Sequence, residues 1–425
     1  MKKLIILILL IYSSNVYTQN VLHLDSCIEI TIKNYPMFKE KALQKKISDL
    51  NIKNNRSNYL PSIDFEGTVS YQSDVFRLDI DLPDVPGFEF TFPEPPLDHY
   101  NLSINVSQLI YDGGTIKNLN FIEQKKLLAE QKKTDVELYK LKEQVEKTYF
   151  SILILQKTEE QLILTIEELQ KKKKTIQSAV KNGILTQDNF DILQAEIYKL
   201  EQNLIEIEET KKSGINILQE LMSTELQTET ELILPEDFEI KSDSTKINRP
   251  ETELFTLQKD ILSSNEKLLQ SNRLPKLGAF AQGGYGNPGL TMINDEWNPY
   301  FIIGAKLTWS IWDKNNTKRN KEILKINSAF IDTKKEAFDK SINILCKKEL
   351  GEISKLEKLI KKDNDIIYLR NRIYKKASSK LNNGIITSTD YITLLNDKNR
   401  SIINGEIHRI KLIEVKRNYL RILGQ

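Results

Sequence analysis

Cysteine and histidine are almost absent from this sequence: the 425 residues include 2 cysteines and 3 histidines. Cys27 and Cys346 lie far apart within helical patterns, so they make no disulfide framework, and free thiols are favoured. His23, His99 and His408 do not have the spacing of metal ligands. Since no nucleophile, paired acids or ligand set stands out either, we expect no enzyme activity, no metal and no cofactor.

Net charge is also low. The formal charge of +2 falls to zero once Lys2 and Lys3 leave with an N-terminal leader, and the chain has no polybasic domain. The run of lysines at 171–174 lies among glutamates and glutamines and is typical of a solvated helix face. We therefore expect no nucleic-acid partner.

Only one apolar run is long enough to suggest targeting. Residues 4–12 follow two lysines and form the core of a secretory leader, so we predict a signal peptide over residues 1–18. Lipid attachment at Cys27 is disfavoured because this cysteine lies well beyond the run and follows Asp25 and Ser26. No other stretch approaches the ~20 apolar residues of a membrane helix.

Proline and glycine are scarce as well, with 12 and 16 copies, and their positions reveal a duplication. Asn-Gly-Ile-Leu-Thr at 182–186 returns as Asn-Gly-Ile-Ile-Thr at 383–387, an offset of 201. Leu-Pro at 60–61 returns at 274–275, an offset of 214. Two constant offsets on either side of one length change indicate two copies of a single unit, with a longer insertion in the first.

Each copy begins with a helix and two strands. The first helix is predicted from about Pro36 to Asn58. Apolar and polar residues then alternate with period two, which predicts strands at about 61–72, 100–111, 275–285 and 300–311. One face of each strand is apolar and the other polar, the pattern of a membrane barrel with a wet lumen. Tyr111 and Trp312, at matched strand ends, suit either a membrane interface or ordinary packing.

Each copy ends with a coiled-coil hairpin. Apolar residues recur every three and four positions through residues 113–222 and 314–423, which predicts two long helical hairpins. The glycines Gly183 and Gly384 lie at the turns, where a left-handed backbone is needed. The polar stretch 223–249 is predicted to connect a first repeat at 19–222 to a second at 250–425.

The strand count has a consequence for assembly. Four short strands cannot close a barrel, because about eight are needed to fill its interior. Left open, the sheet would expose two edges. The sequence therefore predicts an oligomer.

These features together resemble the TolC-like outer-membrane efflux proteins. The resemblance covers nearly all of the mature chain. It rests on the duplicated halves, Pro36 and Pro250 before the rising helices, and Leu-Pro before each first strand. The segment at 106–114, the Asn-Gly turns and the terminal Leu-Arg-Ile-Leu-Gly at 420–424 also fit.

The resemblance implies a mainly α fold with membrane β strands: a homotrimer whose α-helical barrel continues into a shared twelve-stranded outer-membrane β-barrel. The chain would be a passive conduit of a tripartite efflux or type I secretion system in the outer membrane of a Gram-negative bacterium, extending into the periplasm. Its partners would be a periplasmic adaptor, a proton-driven or ATP-driven inner-membrane pump, and outer-membrane lipid.

The resemblance also assigns roles to individual residues at the helix turns. The expected adaptor-docking tips are Asn182, Gly183, Ile184, Leu185, Thr186, Asn383, Gly384, Ile385, Ile386 and Thr387. An aspartate constriction would involve Asp390, six residues past the glycine, and more weakly Thr393, where the family has a second aspartate. Asp188 and Asp191 flank the equivalent position in the first copy, which is Asn189.

One further alternative is a periplasmic structural coiled-coil protein without channel activity. It is disfavoured because a coiled-coil spacer has no use for amphipathic strand pairs. Within the channel interpretation, drug, metal, metabolite and protein cargo all stay open, since the pump rather than the conduit selects the cargo.

Overall fold

The computed structural model describes residues 21–76, 94–226, 230–240, 246–291 and 295–425. The predicted signal peptide at 1–18 lies outside the described residues, and so does most of the acidic loop between the first two strands. Two short elements come first, β1 (Val21–Leu22) and α1 (Leu24–Asn34).

The duplication is evident in the order and length of the elements. The first copy contains α2 (Glu40–Ser57), β2 (Ser62–Tyr71), β3 (Asp98–Tyr111), α3 (Thr115–Lys181) and α4 (Gln187–Met222). The second contains α5 (Pro250–Ser271), β5 (Lys276–Asn287), β6 (Asn298–Thr308), α6 (Asn316–Asn382) and α7 (Ser388–Leu423). Both long helices have 67 residues and both return helices have 36. The mainly helical fold with paired strands in each copy is therefore confirmed.

The start of the chain differs from the expected single helix at Pro36. The helix α1 precedes that proline, a 3₁₀ turn occupies Pro36–Lys39, and α2 begins only at Glu40. The reason is local. Tyr35 is extended (φ −62°, ψ 133°), since a residue before proline is pushed away from the helical region. One continuous helix across this position is thereby prevented.

An aspartate caps each long helix from a position three residues before its first residue. The carboxylate of Asp112 accepts the backbone N–H groups of Gly114 (2.8 Å) and Ile116 (2.5 Å), and Asp313 accepts that of Thr317 (2.9 Å). Between aspartate and helix, both copies use two left-handed residues. In the first copy these are glycines, whereas in the second they are Lys314 (φ 55°) and Asn315 (φ 62°). The second copy therefore keeps the left-handed backbone between aspartate and helix without the glycines that favour it.

The described residues within 42–131 and 254–334 form one compact unit, which contains the four-stranded sheet. Its four strands are antiparallel in the order β2-β3-β5-β6. Phe65 pairs with Ile104, and Ala281 pairs with both Val106 and Ile303, so the predicted apolar positions share one face. That face is exposed in the single chain, with Phe65 at 74% and Ile303 at 75%.

The last strand is shorter than predicted. The structure ends β6 at Thr308, whereas the alternation extends the prediction to about residue 311. Here the indole N–H of Trp309 donates to the carbonyl of Arg273 at 3.0 Å, and the chain bends toward the Asp313 cap. In the first copy β3 continues to Tyr111 through an irregularity between Leu109 and Tyr111.

The described residues within 1–41, 132–253 and 335–425 make up the second unit, whose core consists of three apolar clusters. One joins the N-terminus to the connector. Val21–Leu22 pairs in parallel with β4 (Glu231–Leu232), and the buried Tyr149 hydroxyl lies 2.8 Å from the Leu22 carbonyl and 2.6 Å from that of Ile233. Cys27 lies in this cluster as a free thiol, and burial raises its pKa to about 12.

Candidate functional site: the two hairpin turns

Each coiled-coil hairpin turns through the same capping motif. The backbone N–H of Gly183 donates to the carbonyl of Val180 (3.0 Å), and that of Ile184 donates to the carbonyl of Ala179 (2.9 Å). Gly384 and Ile385 repeat both bonds in the second copy. The two glycines have φ of +71° and +69°. This is the Schellman arrangement, and it explains why both copies place glycine there.

The two turns adjoin each other. Asn189, in the first turn of α4, accepts the backbone N–H of Ser388 at 2.9 Å, and its amide donates to the hydroxyl of Thr186 at 3.0 Å. A side-chain carbon at Gly384 would lie 3.9 Å from Ile184. One asparagine thus joins the start of α4 to the start of α7.

The structure separates the four apolar residues predicted at the tips into two kinds. Ile184 is 60% exposed and Ile385 is 66% exposed. Leu185 and Ile386, the next residues along, pack instead against the apolar cluster that joins the two hairpins. Only the first of each pair is therefore available to a partner.

Asp390 closes a capping box at the start of α7. Its carboxylate accepts the backbone N–H (3.1 Å) and the hydroxyl (2.8 Å) of Thr387, and its own N–H donates to the Thr387 hydroxyl at 3.2 Å. These hydrogen bonds, that of the Thr387 side chain first, hold the pKa of Asp390 below its usual range. A capping role for Asp390 is therefore present in the single chain.

The other predicted constriction residues lie on the surface within the first two turns of α4 and α7. The Thr393 hydroxyl is exposed and donates to the carbonyl of Thr389 at 2.9 Å. Asp188 is exposed, and Asp191 accepts the side-chain amide of Gln187 at 2.9 Å. One copy of the chain does not bring these carboxylates into a single cluster.

A half-buried polar network beneath the turns was missed by sequence reasoning. The Tyr374 hydroxyl bonds to Glu168 and lies 2.7 Å from the hydroxyl of Tyr391, while Lys398 bonds to the same glutamate at 3.1 Å. Burial raises the pKa of Tyr391 to about 12 and also raises the pKa of Tyr374. Because Glu168 is 206 residues from Tyr374, no local pattern in the sequence could have identified the pair.

The matched aromatics at the strand ends are both exposed. Tyr111 is 50% exposed and Trp312 is 78% exposed. At the opposite end of the strands, Trp297 stacks on Tyr285 at 5.3 Å and lies 5.9 Å from Tyr100. Sequence reasoning missed this second aromatic group, although aromatic residues at a strand end are the signal that identified the first.

The described residues contain neither a membrane-spanning helix nor a metal-binding cluster. None of the helices there has both the length and the hydropathy to cross a bilayer. Across the same ranges, no three His, Cys, Asp or Glu side chains are grouped so that they could hold a metal ion.

Comparison with known proteins gives one family-model match over part of the chain and several likenesses in fold. Residues 27–223 match the family model described as "Outer membrane efflux protein". No curated protein matches the sequence.

Three solved structures illustrate the likeness in fold, and each aligns with 94% of this chain. The outer membrane protein VceC of Vibrio cholerae has a TM-score of 0.66, 12% identity and 96% of its own chain covered. The CmeC outer membrane channel of Campylobacter jejuni has a TM-score of 0.65, 14% identity and 85% covered. The open-state MtrE outer membrane channel of Neisseria gonorrhoeae has a TM-score of 0.66, 14% identity and 88% covered.

Proposed function

We propose that the chain is the passive outer-membrane conduit of a tripartite efflux or type I secretion system, because residues 27–223 match the outer membrane efflux protein family model. The family and the structural neighbours are outer-membrane channels rather than enzymes. The observation that carries the proposal is an amphipathic sheet continuous with two 67-residue helices.

The sheet supports insertion into the outer membrane. Its apolar face is exposed, and the opposite face carries Asp64, Glu66, Asn105 and Lys306, as the lumen of a channel requires. Exposed Tyr111 and Trp312 suit the level of the lipid headgroups at one end of the strands.

The open edges support a homotrimer. Within the described residues, β2 and β6 each pair along one side only. In lipid their unpaired backbone groups would have no water to bond, so each edge needs the strand of another copy. Three chains of four strands would give a closed barrel of twelve, whereas one chain cannot close.

The hairpin turns are the proposed contact with a periplasmic adaptor, which would connect the conduit to a proton-driven or ATP-driven pump. The docking tips are the two Asn-Gly turns with exposed Ile184 and Ile385. We place the resting constriction at the same end, with Asp390 as its main carboxylate, Thr393 as a weaker second position, and Asp188 and Asp191 contributed by the first hairpin.

A periplasmic coiled-coil spacer is the alternative. It would account for the long hairpins and for the turns, but it gives no role to an exposed apolar sheet face. The sheet therefore favours the channel.

Two measurements on the purified full-length protein test the proposed function. We expect a mass in detergent of three chains, and cation-conducting channels after reconstitution into planar bilayers. A detergent-stable monomer without conductance would contradict the proposal and favour the coiled-coil alternative. Extraction from cells by salt alone, without detergent, would also contradict the proposal and favour the coiled-coil alternative.

A further inference from the structure

The ends of both hairpins are strongly basic, although the chain as a whole is nearly neutral. Residues 169–192 contain five basic and two acidic side chains, and the equivalent residues 370–393 contain five and one. These two segments carry a net charge of +7, while the whole chain carries +2. Since the rest of the chain is acidic on balance, the positive charge is concentrated at the tips.

In the structure, some of these cations bond to other residues of the chain, whereas others are exposed. Lys172 is buried and donates to the Ser378 hydroxyl (3.0 Å) and the Asn382 side chain (2.8 Å), while Arg370 pairs with Asp397 (2.7 Å). By contrast, the exposed cations form no ion pair with any described residue. On α3 these are Lys171, Lys174 and Lys181. On α6 they are Arg372, Lys375, Lys376 and Lys380.

Helix capping explains only part of this charge. Lys181 and Lys380 lie in the last turns of α3 and α6, where a cation complements the helix dipole. Lys171, Lys174 and Lys375 lie two or three turns earlier, beyond the reach of that effect. Lys171 and Lys174 have basic counterparts exactly one repeat later, at Arg372 and Lys375, so both hairpins carry the feature.

We infer that these four cations, Lys171, Lys174, Arg372 and Lys375, form a basic collar that receives acidic side chains of the periplasmic adaptor, around an apolar contact at Ile184 and Ile385. The inference rests on the proposed docking function and adds the chemistry of the partner. An adaptor with apolar residues at its end and aspartates or glutamates along its sides would complement the tips.

A protein partner fits the collar better than an anionic lipid surface. Lys171 lies ten residues before the end of α3, which is about 15 Å along the helix axis. Exposed charges are screened beyond a Debye length of about 8 Å at physiological ionic strength. A flat membrane touching the turns would therefore interact weakly with the collar, whereas a partner that extends along the helices would reach it.

The test compares two charge-reversed forms of the full-length trimer in lipid nanodiscs. The collar variant carries Lys171→Glu, Lys174→Glu, Arg372→Glu and Lys375→Glu. The control carries the same charge change at exposed lysines elsewhere on α6: Lys334→Glu, Lys335→Glu, Lys347→Glu and Lys348→Glu. The probes are the periplasmic adaptor proteins of the same host, and vesicles of phosphatidylglycerol with phosphatidylcholine.

We expect the adaptor to associate about tenfold or more slowly with the collar variant than with wild type or control, as for the loss of electrostatic steering. Added salt should lower the association rate of the adaptor with the wild type toward the rate measured for the collar variant. Replacing acidic adaptor residues by lysine should restore binding to that variant. Equal, salt-insensitive adaptor binding by all three forms overturns the inference but leaves the docking function intact. If the collar variant loses binding to the vesicles but binds the adaptor normally, the collar recognises lipid and the inference is overturned. If the wild type does not bind the adaptor at all, both the inference and the proposed docking function are overturned.

Discussion

At the scale of single residues, the two copies differ in how side chains cap the helix that follows each hairpin turn. Thr387 caps α7 by accepting a helix N–H, and Asp390 completes the box. Thr186 occupies the matched position on α4 without a side-chain bond to any helix N–H, and its hydroxyl accepts the Asn189 amide instead. Asn189, at the position of Asp390 in the second copy, also accepts the backbone N–H of Ser388 in the neighbouring hairpin, a contact that the symmetric sequence pattern does not indicate.

Thr387→Ala should therefore loosen the start of α7 more than Thr186→Ala loosens α4. Loss of an N-cap costs about 1 kcal/mol, which is about a fivefold rise in local opening. Native-state hydrogen exchange at the amides of Asp390 and Tyr391 measures it. Because the folded pKa of Asp390 is lowered, its contribution is complete above the usual aspartate pKa and is lost as pH falls through the lowered value. Equal effects of the two alanines would contradict this asymmetry.

Asp390→Asn separates capping from charge. Asparagine is a good N-terminal helix residue, so the turn should stay folded while one negative charge per chain disappears. If Asp390 lines the constriction, planar-bilayer recordings should show lower cation selectivity and weaker block by divalent cations. Asp365→Asn removes the same charge from an exposed site on α6 and should leave both properties unchanged. Matching behaviour of the two variants would leave Asp390 with the capping role alone.

At the scale of elements, adjacent residues at a turn have opposite environments. Ile385 is two-thirds exposed, whereas Ile386 packs into the cluster beside Tyr391 and Leu395. The sequence shows only two consecutive isoleucines. The direction in which each one faces follows from the left-handed Gly384 before them, because that residue sets how the chain enters α7.

If this turn docks the proposed adaptor, Ile385→Lys should abolish the proposed efflux and leave the protein folded, since it removes an exposed apolar contact without disturbing the core. Ile386→Lys should instead destabilise the hairpin, because it places a charge against apolar side chains. Drug tolerance of cells reports the first effect, and thermal unfolding of the purified trimer reports the second. Unchanged tolerance in the Ile385 variant would remove the docking role of this turn.

At the scale of the whole molecule, the sheet needs surroundings that one chain does not provide. Phe65, Val69, Phe301 and Ile303 are each more than 70% exposed. A face of this kind on a soluble monomer would be an aggregation hazard. In a bilayer it is the stable arrangement.

Phe65→Lys should accordingly prevent stable insertion, while Thr68→Lys on the opposite face should be tolerated. A lysine on the lipid face near the bilayer midplane costs about 2–4 kcal/mol, and a lumen-facing lysine costs little. Urea unfolding of the protein folded into lipid vesicles measures both. Equal destabilisation by the two lysines would contradict the assignment of the faces.

Sequence alone determined the repeat, the order of the strands and long helices within each copy, and the faces of the strands. These properties depend on local periodicity and on residues with special backbone requirements, such as Gly183 and Gly384, and such signals lie within a few positions of one another. The tertiary structure decided which turn residues are exposed, that Asn189 joins the two hairpins, and that Glu168 meets Tyr374 and Lys398. Those contacts join residues about 200 positions apart, where no periodic pattern extends, so only the packing of the two copies against each other could determine them.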